Sequence, residues 1–135
     1  MEMTRILLDT NAYILYAKKD IKVISKILKS DEVCISVISC GELTAGFLKG
    51  SKSEANNTNL KKFLSNSKIR LLGVNKKTSE IYGKIYFGLQ KIGKPIPIND
   101  IWIAACAIET NSILITHDRH FLSIPDLKLW KGVVK

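Results

Sequence analysis

The chain has 135 residues, 46% of them hydrophobic, and a formal net charge of +9 from 21 lysines and arginines against 12 acids. That length suits one domain with one core, residues 1–135, and that hydrophobic share excludes general disorder. The longest unbroken apolar run, Ile101 to Ile108, is far short of the roughly 18–20 residues that span a bilayer, and no apolar leader with a cleavage site opens the chain. The expectation is a soluble cytoplasmic protein with no membrane contact.

Arg5-Ile6-Leu7-Leu8 reads as a short buried strand, because its apolar residues do not alternate with polar ones. It runs straight into Asp9-Thr10-Asn11, which places an acid, a hydroxyl and an amide at the strand's C-terminal end. A short helix is expected over Ala12 to Lys18, with Asp9 or Thr10 as its cap. A second begins near Asp20, with Ile21, Ile24, Ile27 and Leu28 at helical spacing and lysines opposite. Val33-Cys34-Ile35 is a second buried strand. Ser39-Cys40-Gly41-Glu42 has the S-x-x-E form that opens a helix, here continuing to about Gly50. Ser51 to Asn59 is polar and reads as a loop or helix start, followed by a helix around Leu60, Phe63 and Leu64.

Ile69 to Leu72 is a third strand. Lys76 to Ile92 is a longer helix with Ile81, Ile85, Leu89 and Ile92 on one face and Tyr82 and Tyr86 beside them. Gly93 ends it, and Pro95 and Pro97 enforce an extended loop. Asn99-Asp100 then caps the apolar segment from Ile101. Ile113 to Ile115 is a fourth strand, ending in Thr116-His117-Asp118. Phe121 and Leu122 start a short closing element, and Leu127 and Leu129 add a final edge strand. Strands alternating with helices predict a parallel sheet with helices on both faces. The three cysteines, Cys34, Cys40 and Cys106, form no CxxC pair and lie in apolar stretches, so they read as buried reduced thiols.

Four acids stand out: Asp9, Glu42, Asp100 and Asp118. Each has a bland explanation. Asp9 caps the first helix, Glu42 closes a capping box with Ser39, Asp100 or Asn99 is an N-cap, and Asp118 caps the turn before Phe121. Taken together, Asp9 and Asp118 directly follow strands, whereas Glu42 and Asp100 fall in first turns of helices. In a parallel sheet these places share one edge. Carboxylates gathered there repel, and a divalent cation removes the repulsion. Mg2+ or Mn2+ is the expected ion, since both are hard and favour carboxylate oxygen. Asn11, Ser39 and Thr116 are placed to orient the acids.

An acidic centre within a basic surface fits a metal-dependent nuclease, because lysines hold the flanking phosphates of a strand that the acids alone would repel. Lys18, Lys19, Lys49, Lys94 and Arg119 are candidate rim contacts, each with ordinary solvated surface as its alternative. His117 and His120 flank Asp118 and are candidate metal ligands, since His is a common one, but two histidines without a third nitrogen or sulfur donor make a weak zinc signal. Trp102 reads as a core anchor in preference to a base-stacking platform. No G-x-S-x-G element and no Walker-type loop occurs.

Leu7-Leu8-Asp9-Thr10-Asn11, Glu42-Leu43, Asn99-Asp100 followed by Ile103-Ala104-Ala105, and Thr116-His117-Asp118 with Phe121 together resemble PIN-domain ribonucleases, and within them the VapC-type toxins of toxin–antitoxin modules. The resemblance spans essentially the whole chain in the family's order. It implies a three-layer α/β/α sandwich around a mostly parallel sheet of four to five strands, and an Mg2+- or Mn2+-dependent endoribonuclease. Carried over by motif, Asp9 and Asp100 are the first metal contacts, and Glu42 and Asp118 complete the catalytic pocket. Asp118 is the acid placed to bind a second ion or act through water. Thr10, Asn11 and Thr116 match supporting positions. The resemblance further implies a VapB-type antitoxin partner and a homodimer. Ser51 to Leu64 aligns with no motif. The alternatives are a stand-alone PIN nuclease of RNA processing and a catalytically inactive RNA-binding module. A phosphatase of the haloacid-dehalogenase type wants an acid two residues after Asp9, where Asn11 stands.

Overall fold

The computed structural model describes residues 3–130 and 132. Among them, four strands form one parallel sheet in the order β3-β2-β1-β4: β1 (Arg5–Leu8), β2 (Glu32–Ser36), β3 (Ile69–Leu72) and β4 (Ile113–Ile115). The central pair are apolar on both sides, and Ile6, Leu7, Leu8, Val33, Cys34 and Ile35 are wholly buried. This is the signature of strands covered by helices on two faces.

Register decides which face each residue serves. Ile6 and Leu8 of β1 and Val33 and Ile35 of β2 pack under helices α1 (Thr10–Ala17), α2 (Ile21–Lys29), α3 (Val37–Lys49) and α4 (Ser53–Ser65). Leu7 and Cys34 face the other way, onto α5 (Lys76–Lys91) and α6 (Ile98–Glu109). The result is the expected three-layer sandwich. In α6, Ile101 and the run from Ile103 to Ala107 are buried, and its small residues let it lie close on sheet and α5 alike.

From β1 the chain steps to β2 and β3, then crosses back to place β4 on the far side of β1. Its direction of travel therefore reverses between β1 and β4. A crevice opens beyond the strand ends at such a point. Asp9 and Thr116 are the residues that step off those two strands, and the Asp9 amide hydrogen-bonds the Ile115 carbonyl at 3.2 Å.

Several expectations need correction. Of the two readings of Ser51–Asn59, loop or helix start, the structure takes the second, for α4 starts at Ser53. Leu129 makes only an isolated bridge to Leu114, so no fifth strand forms among the described residues. In α2 the buried residues are Val23 and Ile27, while Ile21 and Leu28 face solvent. Ile92 at the end of α5 is likewise exposed. Cys34 and Cys106 are buried free thiols, but Cys40 is only half-buried. Burial pushes the Cys34 thiol up to about 12 and Cys106 to about 11, which keeps both protonated and unreactive. Trp102 stacks on Tyr82 between α5 and α6 with ring centroids 4.1 Å apart, so it is an anchor of that helix pair.

Candidate active site

Asp9 is delivered by β1 and is 3% exposed. It does cap α1, accepting from the Ala12 amide at 2.7 Å. It also accepts a hydrogen bond from the Thr116 side chain. The same Thr116 hydroxyl accepts from the Asp118 amide at 3.0 Å. One buried threonine thus ties the end of β1 to the turn after β4. Burial, with the Asp118 and Asp100 charges adding to it, pushes the Asp9 carboxyl up to about 6 against the hydrogen bonds from Thr116 and Ala12.

Glu42 does not close a capping box. Helix α3 starts at Val37, and its cap is Ser36, which accepts from the Ser39 amide. Glu42 therefore lies in the second turn, not the first. Its carboxylate is instead held by two residues from other elements. Thr10 Oγ1 donates to Oε1 at 2.5 Å, and Asn99 Nδ2 donates to Oε2 at 3.2 Å. Ser39 Oγ stands 3.0 Å from Thr10 Oγ1. The single Thr10 proton is thus within reach of two acceptors, the Glu42 carboxylate and Ser39 Oγ, with the shorter contact to the carboxylate.

Asp100 occupies the first turn of α6, but neither it nor Asn99 is the cap, for the helix begins at Ile98 after Pro97. The Asp100 carboxylate faces His120, whose Nε2 lies 2.8 Å from Oδ2. Burial raises the Asp100 carboxyl, the His120 contact opposes this, and the Asp118 and Glu42 charges add to the rise. Asp118 precedes the 3-10 helix Arg119–Ser123 without a side-chain cap bond. Ligand atoms of Asp100, Asp118 and His120 all lie within 4.8 Å of one another.

Asp9, Glu42, Asp100 and Asp118 therefore converge, and Thr10, Ser39 and Thr116 brace them. Asn11 is exposed on α1, and among the described residues no side-chain hydrogen bond ties it to the acids. Trp130 carries no functional signal in the sequence. Asn99 reads as a cap and as half of the Asn99-Asp100 motif, and His120 reads as a candidate metal ligand that lacks the partner donors of a zinc site. Trp130 Nε1 donates to the Thr116 carbonyl at 2.5 Å across fourteen positions, a pairing with no local signal. The donor set fits a hard divalent cation. It offers carboxylate oxygens from several elements, where burial and mutual repulsion already disfavour the unaccompanied charges.

Beside the acids, a cavity of about 570 Å³ runs between α1, α3 and α4. Thr10 and Glu42 form one part of its lining, Tyr13 and Phe47 give aromatic walls, and Lys18 and Lys52 give cations. The other proposed rim residues, Lys19, Lys49, Lys94 and Arg119, are exposed but do not line it.

Residues 6–127 match the family model described as PIN domain. The chain is 34% identical over 134 residues to ribonuclease VapC1 of Haemophilus influenzae strain R2866, covering 96% of this chain and 98% of that protein. Its fold is similar to a chain of the crystal structure of VapBC2 from Rickettsia felis bound to a promoter DNA fragment, with TM-score 0.84 and 30% identity over 94% of this chain and 98% of that one. It is also similar to a chain of VapBC-1 from nontypeable Haemophilus influenzae, with TM-score 0.81 and 30% identity over 98% and 100% of the two chains.

Proposed function

We infer the chemistry from the premise that this chain belongs to the PIN-domain family and, within it, to the VapC ribonucleases: it is a metal-dependent endoribonuclease, the toxin of a toxin–antitoxin pair. The observation that carries this is the convergence of Asp9, Glu42, Asp100 and Asp118 at the strand-end crevice, inside a chain of net charge +9. A pocket holding all four acids favours an active nuclease over a binding module.

Asp9, Asp100 and Asp118 would hold the cation, Mg2+ or Mn2+. Such an ion supplies Lewis acidity toward a phosphodiester and lowers the pKa of attacking water. The chain's own residues do the remaining work. Thr116 orients Asp9 toward the pocket, and Thr10 with Asn99 fixes the Glu42 carboxylate to position a water or a phosphate oxygen. Lys18 and Lys52 receive flanking phosphates of the RNA beside the acids. The partner is a VapB-type antitoxin, because the similar solved structures are named as VapBC complexes. Self-association into a homodimer is part of the same reading, with exposed Phe87 on α5 and Ile92 just past its C-terminal end as apolar contacts to test by light scattering. The work place is the cytoplasm, where RNA is met; no helix among the described residues is long and apolar enough to cross a membrane.

The test is purified chain with mixed cellular RNA, Mg2+ or Mn2+, an EDTA control and the Asp9→Asn variant. Discrete cleavage that needs both metal and Asp9 is expected. Cleavage that survives EDTA, or none under any metal by folded chain freed of partner, overturns the reading.

A further inference from the structure

The imidazole beside the acids is a different donor from the rest of the pocket. We propose that His120 is itself a metal ligand, so that Asp100, Asp118 and His120 form a mixed oxygen–nitrogen site selecting a transition dication such as Mn2+ over Mg2+. The proposal rests on the reading of this pocket as a metal centre and adds a ligand and a preference to it.

Three observations carry it. The first is distance. His120 Nε2 and Asp100 Oδ2 are 2.8 Å apart. Two donors about 2.1 Å from one octahedral ion, at right angles, stand about 3 Å from each other. The contact is close to the spacing of neighbouring ligands, and an ion entering there takes the place of the proton that Nε2 shares with Asp100. The second is convergence. The Asp118 carboxylate lies within 4.8 Å of the other two ligand atoms, so three donors from α6, the turn after β4 and the 3-10 helix meet at one point. The third is rigidity. The His120 ring packs on Phe121 with centroids 4.9 Å apart, and Phe121 is wholly buried. The 3-10 helix is thus fixed to the core by the residue next to the ligand, which holds the imidazole in place before an ion arrives.

Selectivity follows from donor chemistry. Mg2+ demands oxygen ligands in near-ideal octahedral geometry and gives up water reluctantly. Mn2+ shares the preference of Mg2+ for carboxylate oxygen, but as a first-row transition ion it gains more from one imidazole nitrogen than Mg2+ does, and later members of that series gain more still. His117 serves as the internal contrast. It is exposed and its ring meets Trp130 edge-on at 5.2 Å, in place of the acids.

The chain contains two histidines, so tag-free protein makes the spectroscopy specific. Mn2+ binding is measured by electron paramagnetic resonance, and histidine nitrogen coupling by pulsed methods, on wild type, His120→Gln and His117→Gln. Circular dichroism confirms that each variant is folded, and Mg2+ competition reports selectivity. The expected result is one class of bound Mn2+ with nitrogen coupling that His120→Gln removes and His117→Gln keeps. His120→Gln is also expected to lower Mn2+ affinity about tenfold and Mg2+ affinity less than about threefold. Bound Mn2+ without nitrogen coupling, or equal losses for both metals, overturns the His120 proposal and leaves the carboxylate centre standing. No Mn2+ binding by folded wild type overturns both.

Discussion

Asp9→Asn is expected to stabilise the chain in EDTA at pH 7.5 even though it removes RNA cleavage. Asp9 is 3% exposed, and its carboxyl rises from 3.8 to about 6. At 1.36 kcal/mol per tenfold in proton affinity, holding this group ionised costs the fold ~3 kcal/mol. The folded chain binds the proton more tightly than the unfolded chain does. Stability therefore falls as pH rises from about 4 through about 6, and the full cost is present above that. Asparagine removes the charge and keeps an oxygen to accept from the Ala12 amide, while losing the charge-assisted part of that bond and of the Thr116 bond. The net gain expected is ~1–2 kcal/mol, or roughly 3–8 °C in Tm for a chain of this size. Thermal and urea melts of both proteins at pH 5 and 7.5 measure it. At pH 5 wild-type Asp9 already carries its proton and the advantage shrinks toward zero. Saturating Mn2+ reverses the order, because ligand at about a hundred times its Kd adds ~2.7 kcal/mol to the protein that binds it. A variant less stable than wild type in EDTA at pH 7.5, or an advantage equal at both pH values, refutes the reasoning.

Trp130→Phe strips the donor from the Thr116 carbonyl and leaves that buried oxygen unpaired. A loss of ~1–3 kcal/mol in urea unfolding is expected, with reduced cleavage because the turn carrying Asp118 loosens. Glu42→Gln retains size and removes the charge held by Thr10 and Asn99; cleavage should fall by about a hundredfold or more while Tm moves by less than about 2 °C. Lys18→Gln, at the cavity beside the acids, should weaken RNA binding and flatten the slope of log affinity against log salt by about 0.7. An unchanged slope removes Lys18 from the phosphate path.

The sandwich was legible because its signals are local. β1 and β2 are short continuous apolar runs, α5 repeats at helical spacing, and Gly93 with the two prolines marks where α5 stops. The parallel sheet followed from strand–helix alternation, and that alone put four acids on one edge. Boundaries failed where tertiary contacts overrule composition. Ser51–Asn59 lacks a strong apolar pattern and so leaves loop and helix start both open, and α4 forms there with Leu60 and Phe63 buried with Tyr13 and Tyr16. The Ser39–Glu42 spacing resembled a capping box, but Ser36 one turn earlier took the cap and freed both side chains for the pocket. Leu127 and Leu129 looked like a strand, whereas β4 is three residues long and supports only one bridge. Within the site, acids at strand ends were readable one by one. Their long-range braces, Asn99 to Glu42, His120 to Asp100 and Trp130 to Thr116, depend on how distant turns close and leave no periodic trace.

The central claim is that the acids act as one cation-holding unit that cleaves RNA. Its most direct test is kcat/KM for RNA cleavage at saturating Mn2+ for wild type, Asp9→Asn, Asp100→Asn and the double variant. Groups serving one centre are non-additive. Each single change should lower kcat/KM by about a hundredfold or more, with the double variant no slower than the slower single. Losses that multiply in the double variant, or a single variant that cleaves like wild type, contradict the account.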